Sequence, residues 1–497
     1  MIPRLPTRVL DVGPADGSGN PRLRDGASRR GIYIAFSYRW DLVAAKGFQT
    51  TEANLKAHEE EIKIDSLPKC MQDAIEVTRR LGVRYLWIDA LCIVQDSESD
   101  WASESVKMAE VYKNCLLTIA AAVEAESDHC GLFQPRKRLQ TRPIEIDGPY
   151  AGARSRYIFA DRRLTGDGAR PYCTLDTRAW VLQEQVLPKR ILSYTAAGLY
   201  WDCVTHNASE SFPDGIPEFY DPDTNRTSLR HFKQLIFHHP LAVNPETAGY
   251  RLWRRVVVDY SARKMSKESD KLIAISGLSQ QVASCLSDRL VAGLWERWLW
   301  RDLLWYVVDV VSAQRPVSFS APSWSWVSVN AQISYELRGT DAEHLLIRLV
   351  QIVDVNDHAA GLNDIATSAH GSIAVRGTLV PLKAIYDNEW DASPPLRSTR
   401  QDRRSSPVWI FAARVWPDVL SSVDLASVQC LIIAASSNTV YALALQHSAP
   451  PEHKSNLYRR IGLVSWKDTA RRFQCDDWAQ FLKTMEEDED LEPIFLE

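Results

Sequence analysis

Trp180 and Glu184 stand four residues apart in the run Trp180-Val181-Leu182-Gln183-Glu184. On a helix that spacing puts both on one face. An indole can stack on a planar ring. A carboxylate beside it can steady positive charge developing on a sugar, or hold the sugar's hydroxyls. Gln183 joins them as a candidate substrate-binding residue. A second cluster is Phe36-Ser37-Tyr38-Arg39-Trp40-Asp41, directly after the apolar run at 32–35. Ser37, Tyr38, Arg39 and Asp41 offer groups for phosphates or ribose, and the planar fork of Arg39 suits two pyrophosphate oxygens. Asp89 closes a second apolar run, at 83–88. Each of these residues also has a structural use. Glu184 can pair with Lys189 or Arg190, and Trp180 can fill a core. Asp89 can cap the following turn, and Ser37 and Tyr38 can tie a strand end to its neighbour.

The elements that must position these groups alternate. A strand over 31–37 precedes a helix over 67–81, where Leu67, Met71, Ala74, Thr78 and Leu81 recur at spacings of three and four. Ser66 suits its N-cap, Pro68 its first turn and Gly82 its end. A strand over 83–88 follows, apolar on both faces apart from Arg84 and so expected at the centre of a sheet. Next come a helix over 100–114 that opens at Asp100, with Glu104 in a structural role, and a strand-like run at 116–121. Strand, helix, strand, helix, strand is the pattern of an α/β unit with a parallel sheet. Ligands bind beyond the carboxyl ends of such strands, so Asp89 and the 36–41 segment are expected at one edge. Two helical turns over 180–187, stopped by Pro188, and closing strands at 191–194 and 199–201 complete the unit.

Beyond it, the spacing is helical over 253–260, 272–282 and 294–311, and short strand-like runs dominate after 317. Trp324 and Trp326 are expected on one face of a strand, packed in a core. The loop 387–407 and the acidic run at 486–490 read as solvated. These shifts divide the chain into an irregular lead-in at 1–30, an α/β module at 31–206, a linker at 207–250, a helical segment at 251–330 and a β-rich region at 331–497.

The 497 residues are 45% hydrophobic and 24% charged, with a net charge of −5. That is globular composition with no basic stripe for nucleic acid. No apolar window is long enough for a membrane span, and the N-terminus lacks the apolar core of a signal peptide. Nine cysteines, none spaced Cys-x-x-Cys, suit reduced thiols and a cytoplasmic protein without bound metal. The phosphate-loop, dinucleotide-fold, zinc-protease and serine-hydrolase motifs are missing.

In order, FSYRWD, LPKCMQDAIEVTRRLGVRYLWIDALCIVQD, DWASESVKMAEVYKNCLLTIAAA and RAWVLQEQVLPKRILSY resemble the successive boxes of the fungal heterokaryon-incompatibility (HET) domain, over roughly 31–203. YSARKMSKESDKLIAISGL, AGLWERWLWRDLLWY and APSWSWVSV resemble the region that often follows it. Two departures stand in the first box: Phe36 replaces the family's usual Leu, and Asp41 its usual Gly. The resemblance implies nonself recognition and programmed cell death, with protein partners of that pathway and self-assembly into a homo-oligomer. It also implies a TIR-like, flavodoxin-like fold. Many TIR enzymes carry a Trp, three residues, then a catalytic Glu, the spacing of Trp180 and Glu184. The expectation is NAD⁺ as a substrate, hydrolysed at the nicotinamide–ribose bond with Glu184 as the key carboxylate and no tightly bound cofactor. Two alternatives stay open: a catalytically inactive signalling module, and a HET-fold enzyme repurposed for another small molecule.

Overall fold

The computed structural model describes residues 2–39, 47–123, 131–135, 144–150, 153–159, 172–210, 212–216, 229–237, 245–316, 321–335, 346–357, 371–382, 408–410, 413–419, 427–436, 439–448, 456–467 and 493–497. Trp40, Asp41, the loop 387–407 and the acidic run at 486–490 lie outside them. The chain forms two compact units, one of Met1–Leu252 with Ile273–Cys285, the other of Trp253–Leu272 with Leu286–Glu497.

The first unit is built on an eight-stranded sheet. Its strands are β1 (Arg8–Asp11), β2 (Arg22–Asp25), β3 (Tyr33–Ser37), β4 (Tyr85–Trp87), β5 (Leu117–Ala122), β8 (Arg190–Thr195), β9 (Gly198–Cys203) and β10 (Asn207–Ser209). A separate hairpin supplies β6 (Ile144–Tyr150) and β7 (Ala153–Phe159). The sheet order is β10-β9-β8-β5-β3-β4-β1-β2. The four central strands, β4, β3, β5 and β8, are parallel. Counting β3 as first, their order is 2-1-3-4, the doubly wound flavodoxin-like arrangement, in which the order reverses between β3 and β5. β3 is buried along its whole length, and Ile34, Phe36, Leu86 and Ile119 are fully enclosed. Apolar runs covered on both faces are what a central parallel strand requires.

Helices α1 (Leu55–Glu60), α2 (Lys69–Arg80), α3 (Asp89–Cys92), α4 (Glu98–Asn114), α5 (Val181–Val186), α6 (Leu229–Ile236), α7 (Pro245–Ser261) and α8 (Ile273–Leu286) complete the set used below. α2 starts one residue after Pro68, which takes the N-cap position expected of Ser66. It ends before Gly82, at φ +68°, a left-handed conformation that glycine adopts without a Cβ penalty. α4 opens after Ser97, not at Asp100. Asp100 sits in the first turn, where its carboxylate accepts the Val94 amide at 2.8 Å and pairs with Arg8. Glu104 accepts bonds from Thr7 and Lys107, each at 2.8 Å.

The turn-rich stretch before residue 31 departs from the expected lead-in. It forms β1 and β2, and β1 pairs with the sheet through Leu10–Leu86 and Asp11–Tyr85. Four-residue strands reading Arg-Val-Leu-Asp and Arg-Leu-Arg-Asp give no apolar run to detect. In the second unit the helical spacing over 294–311 resolves into short pieces: strands at Leu290–Val291, Leu294–Trp295 and Trp305–Val307, a 3-10 turn at Glu296–Trp298 and one helical turn at Leu299–Asp302. Trp324 and Trp326 are fully buried, as expected of core residues. Trp324 precedes, and Trp326 opens, a 3-10 turn at Trp326–Ser328, so the two do not line a strand. The Ser325 hydroxyl caps that turn by accepting the Val327 amide at 3.0 Å. The β-rich end is a ten-stranded sheet, and its buried face gathers Leu349, Leu382, Cys430, Ala442 and Val464.

Candidate functional site

β3 ends at Ser37, beside the position where the strand order reverses. Two other segments meet it there. One is α3, whose first residue, Asp89, follows β4 after the single residue Ile88. The other is α5, whose residue Glu184 turns its carboxylate toward the β3 tip. Ser37, Asp89, Arg178 and the Tyr112 phenol of α4 all lie within electrostatic reach of that carboxylate. Arg178 Nη1 donates to the Tyr38 carbonyl at 3.1 Å, pinning the segment before α5 to the end of β3. The Tyr112 hydroxyl donates to the Phe36 carbonyl at 3.4 Å.

The charge balance at this point is unusual. Glu184 is only 8% exposed, and burial pushes its carboxyl up to about 7, with the Asp89 charge adding to the rise. Ser37, Arg178 and Tyr112 oppose that rise without cancelling it. Burial holds the Tyr38 and Tyr112 phenols well above their ordinary range, with help from Asp89 at Tyr38 and from Glu184 and Asp89 at Tyr112. Ser37 Oγ and Tyr38 Oη lie near the two carboxylates, yet both are buried and neither closes a hydrogen bond of ordinary length. Buried polar atoms are nearly always partnered in good geometry, so two loosely held hydroxyls facing two carboxylates mark this point as a candidate site. Two carboxylates, one of them held near neutrality, are also what acid–base or charge-stabilising chemistry needs at pH 7.

The sequence-derived residues divide as follows. Ser37, Tyr38, Asp89 and Glu184 come together. Glu184 meets Arg178 in place of Lys189 or Arg190: the Lys189 ammonium sits 5.1 Å from the centre of the Phe237 ring, and Arg190 donates to the Leu116 carbonyl at 3.4 Å. Asp89 also takes the capping role weighed for it, accepting the Ala90 amide at 2.7 Å. Trp180 is half-buried, adopts helical angles and directly precedes α5, one turn before Glu184. Gln183 faces elsewhere, its amide nitrogen donating to the Ala274 carbonyl of α8 at 2.6 Å. Arg39 is half-buried. Arg178 and Tyr112 escaped the sequence reading. Tyr112 was visible only as one member of an apolar helix face, and Arg178 only as the first residue of the RAWVLQE box.

α5 is held from beneath by Lys233 of α6. Its fully buried ammonium donates to the carbonyls of Gln185 and Pro188, each at 2.7 Å, and pairs with Asp202 at 3.2 Å. Those carbonyls belong to the end of a six-residue helix that has no glycine cap. A lysine there satisfies acceptors the helix leaves open and suits its dipole.

No curated protein and no solved structure matches the chain. A family model does, the heterokaryon incompatibility protein (HET) family, over residues 33–184. The matched stretch runs from the first residue of β3 to Glu184, so it contains both halves of the cluster. Residues 33–184 of this chain form a HET domain, the stretch that the heterokaryon incompatibility family model covers.

Proposed function

We propose that the HET domain hydrolyses NAD⁺ at the nicotinamide–ribose bond, and that this reaction serves nonself recognition and programmed cell death. The observation that carries the reading is the buried Glu184 carboxyl at the tip of β3, beside Asp89 and the buried Ser37 and Tyr38 hydroxyls. In the reaction the bond from ribose C1′ to the nicotinamide nitrogen breaks, and its electron pair leaves with nicotinamide. The ribose acquires oxocarbenium character, which ionised Glu184 stabilises across a short, dry distance. Water then bonds to C1′ and its proton passes to a carboxylate, giving ADP-ribose, nicotinamide and one proton. In this reading Ser37 and Tyr38 hold ribose hydroxyls, and Trp180 stacks on the nicotinamide ring. Arg39 and Asp41 belong to the segment that would meet the pyrophosphate.

A second reading rests on Glu184's burial and on the capping bond from Asp89 to Ala90: the cluster braces a catalytically silent module that acts through protein partners. One experiment separates the two. Purified protein, free and after forced oligomerisation, is incubated with NAD⁺ beside a Glu184→Gln variant, and nicotinamide and ADP-ribose are measured. Release by the wild type alone supports the hydrolase. No release by the assembled wild type, or equal release by the variant, selects the silent module.

A further inference from the structure

A concavity of the HET-bearing unit lies at the opposite end of the strands from Glu184. Asp11 pairs with Tyr85 at the start of β4, whereas Asp89 follows the end of β4. Around Asp11, the β1–β2 loop, the end of α1 and the C-terminal end of α2 enclose a pocket of about 580 Å³, within the size range of small-molecule sites.

Its floor carries excess positive charge. Asp11 is 2% exposed and takes a bidentate pair from Arg84, at 3.2 and 3.0 Å. Arg22 and Arg24 stand 4.0 and 3.9 Å from the same carboxylate. Of these guanidiniums Arg22 and Arg84 line the pocket, and against the single Asp11 carboxylate they leave that side of it cationic. Arg79, 6% exposed, adds a third to the lining: its guanidinium donates to the Val12 and Gly19 carbonyls at 2.7 and 2.6 Å. The loop bends around it through Gly13 and Gly17, at φ +78° and +76°. A Cβ on Gly13 would stand 3.1 Å from the Gly19 carbonyl oxygen, so the tight path requires glycine. The side chains of Arg22 and Arg84 remain 43% and 64% exposed and can reach a ligand.

The opposite wall is acidic. Glu60 and Glu61 line it, and Glu61 accepts the Asn20 side-chain amide at 2.9 Å. Carboxylates and an amide are partners for hydroxyl groups. Among the described residues no aromatic side chain lines the pocket, and their apolar contribution is limited to Pro14, Ala15 and Val83 beside the glycines. A nucleobase would find nothing to stack on there. We infer that this pocket binds a sugar phosphate, its phosphate on Arg22 and Arg84 and its hydroxyls toward Glu60, Glu61 and Asn20. A charge-separated cavity with no stacking surface fits that class and disfavours nucleotides.

The test is calorimetric titration of the full chain with ribose 5-phosphate, ribose and AMP in parallel. Ribose 5-phosphate should bind, ribose should not, and AMP should bind no tighter than ribose 5-phosphate. Arg22→Gln, which leaves the Arg84–Asp11 pair in place, should weaken ribose 5-phosphate about tenfold, the loss of one charge-assisted contact. Glu61→Gln should weaken ribose 5-phosphate and leave inorganic phosphate unchanged. No binding of ribose 5-phosphate at millimolar concentration, undiminished binding by folded Arg22→Gln, or a clear preference for AMP would each overturn the assignment. None of these readouts involves NAD⁺ turnover, so the pocket and the Glu184 reading succeed or fail separately.

Discussion

Replacing Glu184 by Gln removes a charge while keeping the side chain's shape, and its effect on stability has a definite sign. The carboxyl rises from 4.5 in the ordinary case to about 7 in the folded unit. Between those values the native state keeps a proton that the unfolded chain has released. Stability therefore falls as pH climbs through the window, and the full loss is reached above the folded value. A shift of roughly 2.5 units corresponds to about 3 kcal/mol. Glu184→Gln never ionises, so it should be spared that loss. The stability of the variant minus that of the wild type should grow by about 3 kcal/mol between about pH 5 and pH 8. Urea-dependent hydrogen exchange across Tyr33–Ser37 reads the unit that bears the site by itself. A difference between the two proteins that stays constant with pH would refute the reasoning, because Glu184 would then titrate as an exposed carboxylate does.

Three further perturbations test the surroundings. Asp89→Asn removes the like charge that helps raise Glu184, so the rising limb of kcat/KM for NAD⁺ should move to lower pH. Arg178→Gln removes an opposing charge and should move it to higher pH. A Cβ on Gly277 of α8 would collide with Ala109 of α4 and Gln183 Oε1 of α5. Gly277→Ala should cost about 1–3 kcal/mol in thermal unfolding, as overpacked contacts do. In the second unit, burial lowers the Lys271 ammonium to about 7 from an ordinary 10.5. Its ammonium donates to the Val327 carbonyl at 3.3 Å and to the Val329 carbonyl at 2.5 Å. Between those values the unfolded chain binds the extra proton, so stability should rise with pH across that window. Lys271→Met should abolish that rise, as read from the stability that hydrogen exchange of Trp305–Val307 reports.

The parallel strands were legible because their burial leaves a mark. Ile34-Ala35-Phe36 and Leu86-Trp87-Ile88 are apolar at every position, and only a strand covered on both faces tolerates that. The meeting of Asp89 with the β3 tip followed from parallel pairing alone, since both segments leave the sheet at its carboxyl edge. The edge strands left no such mark: Arg8–Asp11 and Arg22–Asp25 are short and half-polar, and their pairing depends on a loop shaped around Arg79. The breaks across 294–311 were hidden for the opposite reason. Trp295, Leu299, Leu303 and Leu304 are all fully buried, and apolar residues this dense satisfy a helical period whether or not the backbone is helical. Side-chain direction was the other gap. Gln183 and Glu184 are neighbours in sequence, yet one faces α8 and the other the strand tip, because successive helical positions point about 100° apart. Arg178 precedes α5 and lies outside any periodic pattern, so only the folded backbone brings it to Tyr38.

The central claim is that Glu184 is a near-neutral carboxyl in contact with NAD⁺. Carbon-13 labelling of glutamate side chains, with the Glu184 resonance assigned by its disappearance in Glu184→Gln, measures this directly. The account predicts a titration midpoint of about 7 that shifts when NAD⁺ is added. A midpoint in the ordinary carboxylate range, unmoved by NAD⁺, would contradict it.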